Sequence, residues 1–283
     1  MSIVYPDQAS RKVSVPETFK TCHDFFRNVH VLQRFYTNLD TVMLGFIKTD
    51  IDVGYYNAAV KIKSVLLGIV TSLGTVLLPR ASYYIEHHEM EEFRRITKKA
   101  INFVFLIAVP LTCYFILYAK EGILFLSGDE YMLAVIPMQI IMPTIIFIGL
   151  TNIMGIQMLV PMGCEKIVLY SEIAGAVVDL ALNTLLIPRL ASAGAAIGTL
   201  VAEGVVWIVQ FAALRKEVTP AYRNVHYGKV VLSTVVGMVS SGWVKTLGMG
   251  NFATLLVSAI LFFSGYAIVL TVLKEPLVWE IKN

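Results

Sequence analysis

Residues 100–119, 132–160, 230–244 and 252–273 contain no charged side chain, and residues 55–78, 167–187 and 191–214 are interrupted by only one to three. A helix needs about 20 apolar residues to cross a hydrocarbon core of about 30 Å. Six of the seven stretches reach that length. Lipid offers the backbone no hydrogen-bond partner, so each crossing segment must satisfy its own N–H and C=O groups as an α-helix. The expected fold class is all-α, a polytopic transmembrane helix bundle.

Composition points the same way and excludes a water-soluble domain: 57% of residues are hydrophobic and 15% charged, with a mean hydropathy of +0.70. The three cysteines, Cys22, Cys113 and Cys164, are few and scattered. They suggest neither a disulfide framework nor a metal site.

Basic residues alternate between loops. Arg80, Arg94, Arg95, Lys98 and Lys99 fall in one loop, Arg215, Lys216, Arg223 and Lys229 in another, with Lys166 and the pair Lys274 and Lys282 on the same side. Lys48, Lys120, Arg189 and Lys245 stand alone in the intervening loops. The positive-inside rule assigns the richer set to the cytoplasm and predicts a cytoplasmic carboxyl terminus. Residues 1–34 break the pattern, with five basic and three acidic residues and neither the apolar run nor the cleavage site of a signal peptide. They are expected to be a separate polar segment, not native to the sequence that follows. Residues 35–47 are apolar but short and contain Asp40, and read as the end of a helix.

Helical spacing gathers polar residues onto faces within the spans. Asn57, Lys61, Ser64, Gly68, Thr71 and Thr75 recur at steps of four and three and share a face that should avoid lipid. A lysine at the bilayer centre costs about 2.5–3.5 kcal/mol, so Lys61 needs a water-filled cavity, a partner or a route to the headgroups. Lys63 points to a different face. Glu172, Gly175, Asp179 and Asn183 share a face of one later helix, and Thr199, Glu203 and Gln210 a face of the next. Thr199 and Gln210 fit a packing seam, supported by the Gly194–Gly198 spacing. Asp179 and Glu203 fit a cavity or a proton-linked role, and Glu172 an interfacial position. Asn152 lies with Gln139 and Gln157 in a span carrying Pro137 and Pro143, and Pro110 sits in the span before it; bent helices suit a protein that changes shape.

Signs of catalysis are lacking. His87-His88-Glu89 lacks the second histidine of a zinc-protease motif, since Glu92 holds that position, and no phosphate-binding glycine loop is present. Nothing calls for a cofactor, a metal ion or a nucleic-acid partner. An enzyme is not expected.

Several strings resemble a known family. Tyr36-Thr-Asn-Leu-Asp-Thr-Val-Met-Leu-Gly45, Val53-Gly-Tyr-Tyr-Asn-Ala-Ala59, Leu73-Gly-Thr-Val-Leu-Leu-Pro-Arg80, Met138-Gln-Ile-Ile-Met-Pro143, Gly155-Ile-Gln-Met-Leu-Val-Pro161 and Gly194-Ala-Ala-Ile-Gly-Thr-Leu-Val-Ala-Glu203 are similar to bacterial Wzx-type polysaccharide flippases. These belong to the multidrug, oligosaccharidyl-lipid and polysaccharide exporter superfamily. The resemblance implies a fold of two six-helix lobes around a central cavity, with two extra helices in some members. Its implied activity is movement of undecaprenyl-pyrophosphate-linked oligosaccharide across the bacterial cytoplasmic membrane, for O-antigen, capsule or exopolysaccharide synthesis. The strings correspond to the second lobe, residues 35–214, and two terminal helices, residues 215–283. Half of a transporter is therefore expected, needing a partner lobe or a homodimer to close its pathway. The substrate-cavity candidates are Lys61, Asn57, Asp179, Asn183, Glu203 and Asn152, with Lys61 suited to the pyrophosphate. A drug or ion antiporter of the same fold remains an alternative, as does, from another class, a membrane polymerase or ligase of polysaccharide assembly.

Overall fold

The structure is a computed structural model in which residues 38–277 and 279 are described; the expectations for residues 1–34 lie outside the described residues. Helix α1 (Asn38–Ile47) is followed by a tight turn into α2 (Asp50–Glu86). Thr49 caps α2, its hydroxyl accepting from the Asp52 amide at 3.4 Å, and Asp50 and Asp52 place negative charge at the positive end of the helix dipole. Helix α3 (Met90–Leu117) returns through the bundle, and the short α4 (Ala119–Ser127) ends at Gly128, whose φ of 88° needs a residue without Cβ.

The next charge-poor stretch forms a broken span. A 3-10 turn (Asp129–Ala134) leads into α5 (Val135–Ile141), then α6 (Thr144–Thr151) and a π-helical segment (Asn152–Leu159). Its two halves are bent by 43°. Pro143, at the break, has no N–H to donate, which accounts for the bend. Pro110, by contrast, sits inside α3 without ending it.

Helix α7 (Glu165–Ala213) is 49 residues long but folds back on itself at Ala191, where φ is 50° and ψ is −129°. The proof of reversal is a hydrogen bond of 3.0 Å from Gln210 Nε2 to Ser171 Oγ, 39 residues apart. On one straight helix they would stand about 58 Å apart. The arms, here α7a (165–190) and α7b (192–213), therefore supply two spans. Among the described residues five helices are long and apolar enough to cross a membrane, and the bent pair makes a sixth. With α7 counted as two arms, the helices account for all seven stretches read from the sequence. The chain is a multi-pass membrane protein, and the all-α class holds.

Small residues set the arm spacing, as the Gly194–Gly198 pattern predicts. A Cβ at Gly194 would lie 2.7 Å from the Leu186 carbonyl carbon, and one at Gly175 would lie 2.6 Å from Val206 Cγ2. Beyond α7 come the basic helix α8 (Arg215–Arg223), α9 (Tyr227–Gly242) and α10 (Asn251–Val272). Helices α9 and α10 pack mainly on each other and on α3 and α4. Tyrosines join them to the main bundle: Tyr114 Oη reaches the Leu255 carbonyl at 2.9 Å, Tyr118 Oη the Ser241 carbonyl at 2.7 Å and Tyr266 Oη the Leu106 carbonyl at 2.8 Å. Elsewhere large apolar side chains such as Val65, Leu185, Val239, Ile260 and Val272 are exposed on helix surfaces, as expected where lipid is the solvent.

A polar cluster buried between α1, α2 and the arms of α7

Asp40 on α1 is 3% exposed and forms the hub of a hydrogen-bonded cluster. Tyr56 of α2 donates to its Oδ2 at 2.5 Å, and Asn183 of α7a donates to its Oδ1 at 2.6 Å. Thr199 of α7b stands 2.9 Å from the same Oδ2 and 3.0 Å from the Ala195 carbonyl, so its one proton serves one acceptor at a time. Four helical segments thus meet on a single carboxylate. The second proton of the Asn183 amide goes to Asp179 Oδ2 at 3.0 Å. Asp179 Oδ1 and Asn183 Oδ1 are buried without a hydrogen-bond partner.

Beside the cluster lies a cavity of about 110 Å³, whose lining includes Asp40, Tyr56, Lys63, Thr199, Glu172 and Glu203. Tyr56, Val60, Lys63 and Leu67 bring one face of α2 to it at steps of four, three and four. Lys63 is 6% exposed. Carboxylates outnumber the single ammonium, and an unpaired charge in such surroundings is costly. The arrangement is therefore suited to sharing protons or holding a monovalent cation among oxygen ligands. Among the described residues no group of His, Cys, Asp and Glu has the arrangement of a metal centre.

The sequence candidates are distributed unevenly around this cluster. Asp179 and Asn183 belong to it and Glu203 lines its cavity. Asn57 is next to it, accepting from Thr41 Oγ1 at 3.3 Å. Asn152 is elsewhere: it accepts from Gln157 at 3.4 Å and packs against α2 at Gly74. Lys61 and Gly68 are exposed and do not line the cavity, whereas Ser64 of the same polar face, also exposed, does. Lys63, on the face that helical spacing separates from Lys61, is the lysine inside. Glu172, read as interfacial, also lines the cavity. Asp40 and Tyr56 carry most of the geometry without having stood out as candidates. The available signal for Asp40 was an acid in an otherwise apolar segment of 35–47. Gln210 packs against Ser171 with Gly155 against its amide, as a seam, whereas Thr199, expected in the same seam, joins the Asp40 cluster and lines its cavity.

A family model described as polysaccharide biosynthesis protein matches residues 6–136. A protein of Escherichia coli (strain K12) named for O-antigen transport is 30% identical over 162 residues, covering 57% of this chain and 39% of its own length. A Haloferax volcanii protein named for low-salt glycan biosynthesis as a flippase is 21% identical over 246 residues, 86% of this chain and 51% of its own. The chain is similar to these two proteins, named for O-antigen transport and for glycan flipping, over part of its length. An uncharacterized membrane protein of Methanocaldococcus jannaschii is 25% identical over 229 residues, with 81% and 45% of the two chains covered. The fold of the chain matches that of the lipid II flippase MurJ in its inward closed conformation, with a TM-score of 0.72 at 13% identity, over 88% of this chain and 53% of MurJ. The chain spans about half the length of the curated relatives it matches.

Proposed function

We propose that the chain serves as one lobe of a transporter that moves undecaprenyl-pyrophosphate-linked oligosaccharide units across the bacterial cytoplasmic membrane, for O-antigen, capsule or exopolysaccharide synthesis. The observation that carries this reading is a lobe with the fold of about half of a lipid flippase, in a relative of proteins named for O-antigen transport and glycan flipping. In this reading the exposed face of α2 that holds Lys61, Ser64 and Gly68 borders the central pathway, and the Lys61 ammonium meets the pyrophosphate. A partner lobe or a second copy closes the other side. The bundle end rich in basic residues, with the carboxyl terminus, faces the cytoplasm. The cluster of Asp40, Asp179 and Glu203 couples the lobe's conformation to cation or proton occupancy, and rocking of the lobes gives alternating access.

The test is a strain lacking its own flippase that receives this chain alone, or with the first half of a full-length relative, while lipid-linked oligosaccharide is followed on both leaflets. Outward movement restored in either pairing, and reduced by Lys61→Ala, is the expected result. Membrane insertion without movement in any pairing would reject the reading. The buried acids also favour a second reading, a cation-coupled antiporter of small compounds. It predicts proton- or sodium-driven efflux of a cationic dye, abolished by Asp179→Asn, with no effect on oligosaccharide.

A further inference from the structure

Away from the Asp40 cluster, a second pocket of about 380 Å³ opens where the start of α3, the turn between α8 and α9, and the segment after α10 meet. Arg95, Lys98, Lys99 and Asn102 follow one another at steps of three, one and three, so they present one face of α3 to it, and His226 lines the opposite wall. Among the described lining residues there is no carboxylate. The volume suits a small headgroup.

The base of this region is held by a buried acid. Glu275 is fully buried and accepts from Asn102 Nδ2 at 3.0 Å, with His226 Nδ1 and Lys229 Nζ at 3.6 and 3.7 Å from its Oε2. Lys229 also donates to the Lys274 carbonyl at 3.2 Å. These contacts tie α3, α9 and the segment after α10 together behind the pocket, so its walls are fixed by structure rather than by loose surface side chains. Glu92 pairs with Arg95 at 3.2 Å on the exposed rim, and Lys98 and Lys99 follow on the same side of α3. Asn102, 8% exposed and lining the pocket, keeps its Oδ1 without a hydrogen-bond partner.

The level of the pocket relative to the membrane follows from its neighbours. Tyr227 at the start of α9 and Trp279 are exposed aromatics beside it in the chain, and Lys274 Nζ lies 5.9 Å from the Trp279 ring centroid. Exposed Tyr and Trp collect at the headgroup layer, where lysine and arginine stems reach along apolar surface toward water. Leu277 adds an apolar wall. Basic pockets between helices at this depth, with one apolar side, match the phosphate and first acyl carbons of an anionic lipid.

We propose that this pocket binds the phosphate headgroup of an anionic phospholipid, such as phosphatidylglycerol, against Arg95, Lys98 and Lys99, and thereby fastens α9 and α10 to the rest of the lobe. The site is separate from the translocation reading and does not depend on it. Purified chain in detergent is titrated with phosphatidylglycerol or phosphatidylcholine and bound lipid is counted by native mass spectrometry. The chain retains phosphatidylglycerol on the order of tenfold more tightly than phosphatidylcholine. Lys98→Gln with Lys99→Gln reduces that preference to near unity, while Arg215→Gln with Lys216→Gln and Arg223→Gln on α8 leaves it in place. Where the double variant does not fold, Lys98→Gln alone and the pocket-filling Leu277→Trp are read in its place. Equal retention of the two lipids would overturn the proposal, as would a preference that survives the pocket variants or is lost only on α8. Displacement of the lipid by inorganic phosphate alone would mean a soluble anion site and would overturn it as well.

Discussion

Asn183 Nδ2 stands 2.6 Å from Asp40 Oδ1, a contact spanning 143 positions that ties α7a to α1. The same amide nitrogen reaches Asp179, so one side chain keeps two buried acids apart while donating to both. Asn183→Ala removes both donors and leaves two acceptors facing each other without compensation. Unsatisfied buried groups cost about 1–3 kcal/mol each, more where charged. The expected loss for the two groups is therefore about 2–6 kcal/mol, read from thermal unfolding in nanodiscs. Asn183→Asp, which adds a third carboxylate to the cluster, is expected to lose at least as much. Unfolding unchanged in both variants would contradict the hydrogen-bond assignment.

Gly198 is the residue against which the unpaired oxygens of the cluster rest. A Cβ there would collide with Asn183 Oδ1 and lie 3.0 Å from Asp179 Oδ1, with only backbone and short side chains to give way. Gly204, six residues further along the same arm, has nothing within 4 Å of the position a Cβ would take. Gly198→Ala is expected to destabilise by about 1–3 kcal/mol as an overpacked site. Gly204→Ala is expected to stabilise by about 0.5–1 kcal/mol, through helix propensity alone. Opposite signs in the two unfolding midpoints are the required result.

Periodicity made the spans and the faces legible, because lipid removes every alternative to the helix and the step of 3.6 residues is local. Asp179 and Asn183 were visible together for that reason. Which face turns inward is a different matter, decided by neighbours far away in sequence. Lys61 and Lys63 show this: spacing separates them, but only the position of α1 and α7b buries the second and leaves the first exposed. Asp40 was seen only as an interruption of a short apolar segment. Its partners Tyr56, Asn183 and Thr199 lie 16, 143 and 159 positions away, beyond what any local pattern can join. The reversal at Ala191 was marked in the sequence by Pro188 and Arg189 between two apolar runs, so the arms were separable before their contact was known.

Helices α9 and α10 depend on a few directional contacts with α3 and its end. Lys245 Nζ donates to the Leu117 carbonyl at 2.5 Å, lies 3.5 Å from Glu121 Oε1 and stands 4.8 Å above the Tyr118 ring, while Tyr118 and Tyr266 each donate to a carbonyl across the seam. Interhelical hydrogen bonds inside membranes are worth about 0.6 kcal/mol on average and up to about 1.7. Tyr118→Phe and Tyr266→Phe should therefore each lose about 0.6–1.7 kcal/mol. Both should speed proteolysis in the loop around residues 248–250 if they loosen the pair. An unchanged cleavage rate in the double variant would show that these two hydroxyls do not hold α9 and α10 in place.

Ala191 carries the backbone strain of the α7 hairpin. Its φ of 50° with ψ of −129° is a conformation that glycine adopts freely and a Cβ opposes, at a cost of about 1–3 kcal/mol. Ala191→Gly relieves that cost but adds freedom to the unfolded chain, which takes back about 0.4–1 kcal/mol. The net expectation is stabilisation by roughly 1 kcal/mol, seen as a higher unfolding midpoint, because relief of strain is the larger of the two effects. Ala191→Val has the reverse effect and should lower the midpoint, since branching at Cβ tightens the same clash. The register of the arms gives the prediction its structural content. If the turn is strained as described, Ala191→Gly preserves the Gln210–Ser171 contact and the approach of Thr199 to Asp40, so a cysteine pair placed across the arms crosslinks as readily as in the parent. A lower midpoint for Ala191→Gly together with weaker crosslinking would mean that the turn is held by its present residue and not in spite of it.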